Sequence, residues 1–172
     1  MLPTLQVGDH VLINKLRYGV RLPFVGGWLL SYDVPHPGDV IVFTNPVDRS
    51  QDFVKRVIAV PGEVVEIRDK QVLVNGRPRD AGSAYFVDGQ QYIKPSSPRD
   101  NFGPTVVPPR QLLVLGDNRD RSYDGRFWGF VDFADVKGKA LFLYRSWDGR
   151  DHWVRWAPIG DAMESSTNDG RQ

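Results

Sequence analysis

Short apolar runs broken by glycine, proline, asparagine and aspartate set the pattern of this chain. Residues 10–14 (HVLIN), 39–44 (DVIVFT), 53–60 (FVKRVIAV), 63–68 (EVVEIR), 71–74 (QVLV), 111–115 (QLLVL) and 140–145 (ALFLYR) have strand length and are rich in β-branched or apolar residues. EVVEIRDKQVLVNG reads as a hairpin, two alternating runs joined by a short polar turn and closed by Asn75-Gly76. No long stretch repeats its apolar residues every 3.6 positions, so helix is expected to be scarce. The prediction is a mostly β chain with little helix.

Two regions depart from that pattern. Residues 76–110 are rich in Pro, Gly, Asp and Ser, with short strands expected near Ala84–Val87 and Gln91–Lys94. They are read as a smaller β lobe inserted into a core made of residues 1–75 and 111–160. Residues 161–172 (DAMESSTNDGRQ) are polar and read as a frayed tail.

Composition narrows the chemistry more than the fold. With 172 residues the chain fits one domain, with room for a smaller lobe, and buries a core without needing disulfides or metals. The 22 basic and 21 acidic residues leave a net charge of +1, and nothing in that balance argues for a nucleic-acid partner, so none is expected. There is no cysteine, so disulfides, thiolate metal sites and cysteine nucleophiles are excluded. The three histidines, His10, His36 and His152, show no metal-ligand spacing. No apolar run approaches the ~18 residues of a membrane helix, and no signal peptide is recognisable.

Four segments carry candidate chemistry. In FVKRVIAVPGE (53–63) the two-residue period puts Lys55 on one strand face with Phe53 and Val57. Arg56 falls on the other, with Val54 and Ile58. A strand lysine usually points at water. Here at least one cation sits among apolar neighbours unless this is an edge strand. A buried ammonium has a lowered pKa and, once neutral, serves as a general base. In LGDNRDRSYDGRFWGF (115–130) acids and arginines alternate around Ser122 immediately after a strand. A solvated turn would explain them, and so would a buried polar network bracing a site. The opening Met1-Leu2-Pro3-Thr4-Leu5 fixes its backbone at Pro3 and offers apolar side chains to a pocket; a plain terminus is the simpler reading. Trp28-Leu29-Leu30 follows two glycines and is expected to be exposed. The three tryptophans of residues 142–158 are expected in the core, although exposed Trp beside Arg would suit a membrane interface.

In series, these segments resemble the type I signal peptidases, membrane-anchored serine endopeptidases that remove signal peptides. Met1–Leu5 with Gly8-Asp9, Pro37–Phe43, Phe53–Glu63 and Gly116–Asp120 through Gly129 match the family's boxes in order, over residues 1 to about 148. The resemblance implies folded antiparallel sheets, a core β domain plus a smaller β lobe, with a Ser/Lys dyad without histidine or aspartate, and no metal or other cofactor. Lys55 matches the general base and Ser122 the hydroxyl that orients it. Arg56, Asp124 and Arg126 match a supporting ionic network, and Gly116 and Asp117 the turn that shapes the floor. Met1, Pro3, Leu5, Phe53 and Val54 match the substrate-binding positions, with shallow pockets for small residues at −1 and −3 of a signal peptide. The expected partners are exported preproteins and the membrane surface. The expected place is the cell membrane, with the catalytic domain on the extracytoplasmic side and a chain without its anchor in solution.

The resemblance puts the nucleophilic serine immediately before Met1 and an oxyanion-hole hydroxyl two residues further upstream. Neither lies within these 172 residues, so the chain by itself is expected to cleave nothing. A rival enzymatic reading, a self-cleaving repressor of related fold, would need a DNA-binding domain or a cleavable linker, and neither is visible. A rival of another class is a noncatalytic β module that binds extended peptides. Lys55 close to Ser122 and shielded from water would favour the peptidase; a solvated Lys55 would favour the module.

Overall fold

A computed structural model describes residues 1, 4, 10–21, 28–31, 33–79, 83–89, 97–145 and 157–158. Thirteen strands lie among them, in chain order β1 (His10–Asn14), β2 (Gly19–Arg21), β3 (Trp28–Ser31), β4 (Val40–Thr44), β5 (Asp52–Ala59), β6 (Val64–Arg68) and β7 (Gln71–Val74). There follow β8 (Arg77–Pro78), β9 (Phe102–Val106), β10 (Gln111–Leu115), β11 (Val131–Asp132), β12 (Val136–Arg145) and β13 (Ala157–Pro158). One helical turn, α1 (Gly125–Trp128), and a 3-10 turn at Phe133–Asp135 are the helical elements among the described residues. Every strand pair among the described residues is antiparallel, as the resemblance implied.

The larger sheet runs β1-β12-β4-β5-β10-β11, with β13 beside β12. The smaller sheet runs β8-β7-β6-β9, and β2 pairs with β3. The smaller sheet thus begins at Val64, not at residue 76: the hairpin β6–β7, which its alternation alone left with the core, pairs through β6 with β9. Strand β9 contains Gly103-Pro104 and has no alternation to reveal it. Of the two strands expected inside the lobe, residues 84–87 make a single parallel bridge from Tyr85 to Asn118. Residues 91–94 lie outside the described residues, as do 161–172 and the tryptophans expected in the core at 147, 153 and 156. The side chains of Trp28–Leu30 are likewise outside the description.

The turns follow from their residues. Arg68 faces Gln71, so β6 and β7 are joined by Asp69-Lys70 alone, both left-handed (φ 48° and 71°). Asn75-Gly76 joins β7 to β8 in the same way (φ 51° and 74°). Two-residue hairpin loops need left-handed residues because their twist must match that of the strands.

The continuous apolar run of β10 is explained by burial on both faces. Leu113 and Leu115 join Ile58, Ala59, Val65, Ile67, Val72, Val74 and Val107 in a core shared by the two sheets. Leu112 and Val114 face the other way, towards Tyr18, Ile41, Phe43, Val57, Val131 and Val136. Tyr18 is fully buried and donates its hydroxyl to Asp39 (2.8 Å), which also accepts from Lys139 and from the His36 amide. Because Leu113 is locked between the sheets, Leu113→Ala is expected to cost about 3 kcal/mol by the lost burial and the cavity left behind. Thermal unfolding followed by circular dichroism and by tryptophan fluorescence should show one shared, lowered transition. Two separate transitions would contradict a common core.

Candidate functional site

Strand β5 is flanked by β4 and, from Arg56 onward, by β10, so Arg56 lies between two strands while Lys55 is paired on the β4 side alone. Lys55 lies opposite Ile41, and Arg56 lies between Val40 and Leu115. Phe53 and Val57, two residues either side of Lys55, join the Tyr18–Phe43 cluster, as period two predicts. Val54 packs instead with Met1 and Val11 against Val40 and Ala140. Beyond Val57 the simple alternation breaks. Val114 pairs with Val57 and Leu113 with Ala59, leaving Ile58 as an extra residue in β5.

The two cations are satisfied differently. Arg56 is 5% exposed and makes a fork to Asp117, Nε to Oδ1 and Nη2 to Oδ2, both at 2.9 Å. Its third bond runs from Nη1 to the carbonyl of Gly38 (2.9 Å). A planar guanidinium suits such a buried bidentate pair. Lys55 has no such carboxylate. Its Nζ hydrogen-bonds Ser122 Oγ at 2.8 Å and stands 5.7 Å from the centre of the Phe53 ring. Burial pushes the Lys55 pKa below its ordinary value of 10.5. The carboxylate of Asp124 opposes that shift, the Arg126 guanidinium adds to it, and Asp117 opposes it more weakly.

Ser122 is delivered by the loop between β10 and α1. At its start, Asp117 also accepts from the Thr4 hydroxyl. At its end, the fully buried Asp124 caps α1, accepting from the Arg126 amide (3.2 Å), from Arg126 Nε and Nη2 (both 2.8 Å) and from the Gly116 amide (3.0 Å). Gly116 fits because it has no side chain. A Cβ there would lie 2.2 Å from Ser122 Oγ and 3.4 Å from Lys55 Nζ. The buried polar network therefore replaces the alternative of a solvated turn.

The geometry brings together Lys55, Ser122, Arg56, Asp117, Asp124 and Arg126. Met1 stands at the same place. Its α-amino pKa is lowered first by burial and next by the Lys55 ammonium, with Asp117 and Asp124 opposing. Met1 and Val54 share one cluster, whereas Phe53 belongs to another, edge-on to Phe43 (6.4 Å, 86°). Pro3 and Leu5 lie outside the described residues. Thr4, part of the opening segment, was given no role of its own, since nothing along the chain ties residue 4 to residue 117. A cavity of about 300 Å³ lined by Pro37, Gly38, Val57, Ile58 and Arg79 includes neither Lys55 nor Ser122. Among the described residues no helix is long and apolar enough to cross a membrane.

With this geometry in view, comparisons place the chain. The family model of the signal peptidases, peptidase S26, matches residues 1–147. The chain belongs to that family. It is 38% identical over 144 residues to signal peptidase I of Leptolyngbya laminosa, covering 84% of this chain and 64% of that protein. It is 34% identical over 176 aligned positions to signal peptidase I of Pseudomonas fluorescens, covering 86% and 62%. The chain thus spans a little under two thirds of the length of these relatives. A crystal structure of a signal peptidase I from Enterococcus faecalis shares 32% identity and superposes with a TM-score of 0.49, covering 63% of this chain and 98% of that one.

Within this S26 domain the lowered pKa of Lys55 has a thermodynamic consequence. A folded-state pKa below the unfolded value favours folding of the neutral form. Stability is therefore fullest above the ordinary value of 10.5 and falls as pH drops through the folded pKa. Lys55→Met removes the ionisation and keeps the apolar stem. Urea denaturation of both proteins from pH 7 to 11 should find the variant gaining on the wild type as pH falls. A difference independent of pH would contradict a desolvated Lys55.

Proposed function

We propose that this domain is the catalytic part of a type I signal peptidase acting through a Ser/Lys dyad. The observation that carries the reading is the 2.8 Å contact between Lys55 Nζ and Ser122 Oγ, with burial lowering the lysine pKa. A lysine that must accept a proton needs a lone pair, and removal from water supplies it. The Ser122 hydroxyl and the Phe53 ring fix where that lone pair points.

The nucleophile in this reading is a serine placed immediately before Met1. Two observations support it: Met1 packs in one cluster with Val54, the neighbour of Lys55, and the Lys55 charge lowers the Met1 α-amino pKa. The serine Oγ attacks the scissile carbonyl carbon while Lys55 takes the hydroxyl proton. Collapse of the tetrahedral intermediate breaks the C–N bond, and Lys55 returns the proton to the leaving amine. Water then attacks the acyl ester with Lys55 again as base, releasing the signal peptide and restoring the serine. The substrate is an extended peptide pairing near residues 53–54 and the N-terminal segment. Met1 and Val54 bound a shallow apolar wall, which supports a preference for small residues at −1 and −3 by steric exclusion. The substrates are signal peptides of exported preproteins, presented at the membrane surface on the extracytoplasmic side. A noncatalytic peptide-binding module is the other reading, and a lysine drawn from water onto a hydroxyl argues against it.

The test compares the 172-residue chain with one extended upstream by a serine before Met1 and a second serine two residues earlier. Only the extended chain is expected to cleave a signal-peptide substrate with alanine at −1 and −3. Lys55→Ala in the extended chain should lower kcat by roughly 10⁴-fold, as loss of one member of a catalytic unit does. Cleavage by the unextended chain, or by the Lys55→Ala form, would overturn the proposal.

A further inference from the structure

The loop that presents Ser122 is held in its middle by a second set of charges that belongs to the smaller sheet. Asp120, two residues before Ser122, has a side chain 1% exposed. It accepts from Lys70 Nζ (2.9 Å), from the Val87 amide (2.7 Å) and from the Asp88 amide (3.0 Å). Lys70 is one of the two left-handed residues at the β6–β7 turn, with a side chain only 13% exposed. Its Nζ also reaches the carbonyl of Asp88 (2.9 Å), and its own amide donates to Asp100 O (2.9 Å). The segment around Tyr85 completes the hold. Tyr85 N donates to Asp117 O (2.7 Å), and Arg119 N donates to Tyr85 O (2.9 Å).

We infer that Lys70 and Asp120 are positioning residues for the dyad, clamping the Ser122 loop to the smaller sheet so that Ser122 Oγ stays on Lys55 Nζ. The inference rests on the proposed function for its catalytic meaning, but its geometry does not. The clamp sits where displacement matters most. Leu115 at one end is locked in the core, and Asp124 at the other is locked by Arg126. Between them Asn118 Oδ1 accepts from the Arg121 amide within the loop, Arg126 Nη2 reaches Ser122 O at 3.5 Å, a long bond, and Arg99 Nη2 stands 3.9 Å from Asp120 Oδ1. A surface ion pair contributes little, but a carboxylate with three donors and almost no water access holds a backbone in place. The smaller sheet therefore acts as a buttress for the hydroxyl that orients the base. Misplacement of a catalytic group by about 1 Å costs up to ~10²-fold in rate.

The experiment uses the extended chain carrying both upstream serines, with Lys70→Met, Lys70→Arg and Asp120→Asn variants. The exposed neighbour Arg68, paired with Glu66 on the same hairpin, provides the control Arg68→Met. Lys70→Met and Asp120→Asn are expected to lower kcat roughly 10-fold with KM unchanged. The acidic limb of the pH–rate profile should move to higher pH, because a loosened loop admits water to Lys55. The charges that face Lys55 (Asp117, Asp124, Arg126 and the Met1 end of the chain) are untouched by these variants. Lys70→Arg should restore most of kcat, and Arg68→Met should change nothing. Unchanged kcat and pH limb in Lys70→Met would overturn the inference, as would a Lys70→Arg no better than Lys70→Met.

A parallel readout needs no catalysis. In the unextended chain the Lys55 titration, followed by NMR of its ε-carbon, should move towards 10.5 in Lys70→Met and stay put in Arg68→Met. No movement in Lys70→Met overturns the inference. If the extended wild type does not cleave while this titration moves, the proposed function fails and the clamp stands.

Discussion

Everything in this site depends on a partly buried ammonium on strand β5. Lys55 lies opposite Ile41, with the Phe53 ring close to its Nζ and Ser122 Oγ as its hydrogen-bond partner. Its neighbour Arg56 shows what the fold does with a cation it means to keep charged: a fork onto Asp117 and a bond to a carbonyl. The same strand thus carries one cation stabilised as an ion and one denied an ion's surroundings. Buried pairs of the first kind add little net stability against an apolar replacement but are costly to break. Desolvation of the second kind is a cost that lowers the lysine pKa.

The rest of the site holds a hydroxyl against that lysine. The loop from Gly116 to Asp124 is pinned at both ends by buried carboxylates, Asp117 on Arg56 and Asp124 on Arg126. Gly116 leaves the space that Ser122 occupies. Arg126 also donates to the carbonyl of Arg99 (2.7 Å), and Arg99 pairs with the buried Asp100, so the segment leading into β9 is joined to the same network. Both sheets feed the site, and the core they share makes them one structural unit.

Much of this was legible along the chain because it rests on local rules. Two-residue alternation placed Lys55 between Phe53 and Val57, and the apolar run 111–115 announced a strand, whose burial on both faces emerged only from the fold. Asp69-Lys70 and Asn75-Gly76 announced tight turns. What the chain concealed is long-range or irregular. Strand β9 is masked by Gly103-Pro104, and without it the hairpin β6–β7 could not be assigned to the smaller sheet. Thr4 meets Asp117, and Lys70 meets Asp120, across separations that no periodicity encodes. Dense alternation of acids and arginines marked residues 117–126 as a network, yet their partners on other elements emerged only from the fold.

The central claim is that the fold partly buries Lys55 and holds it against a hydroxyl. The most direct measurement is the titration of Lys55 itself, with ε-carbon-labelled lysine assigned by Lys55→Arg. The account predicts a midpoint below 10.5 that rises on unfolding in urea, because burial is the leading cause of the shift. A midpoint at or above 10.5 in the folded protein would mean that Lys55 is a solvated or ion-paired cation, and the account of this site as a base held ready would be wrong.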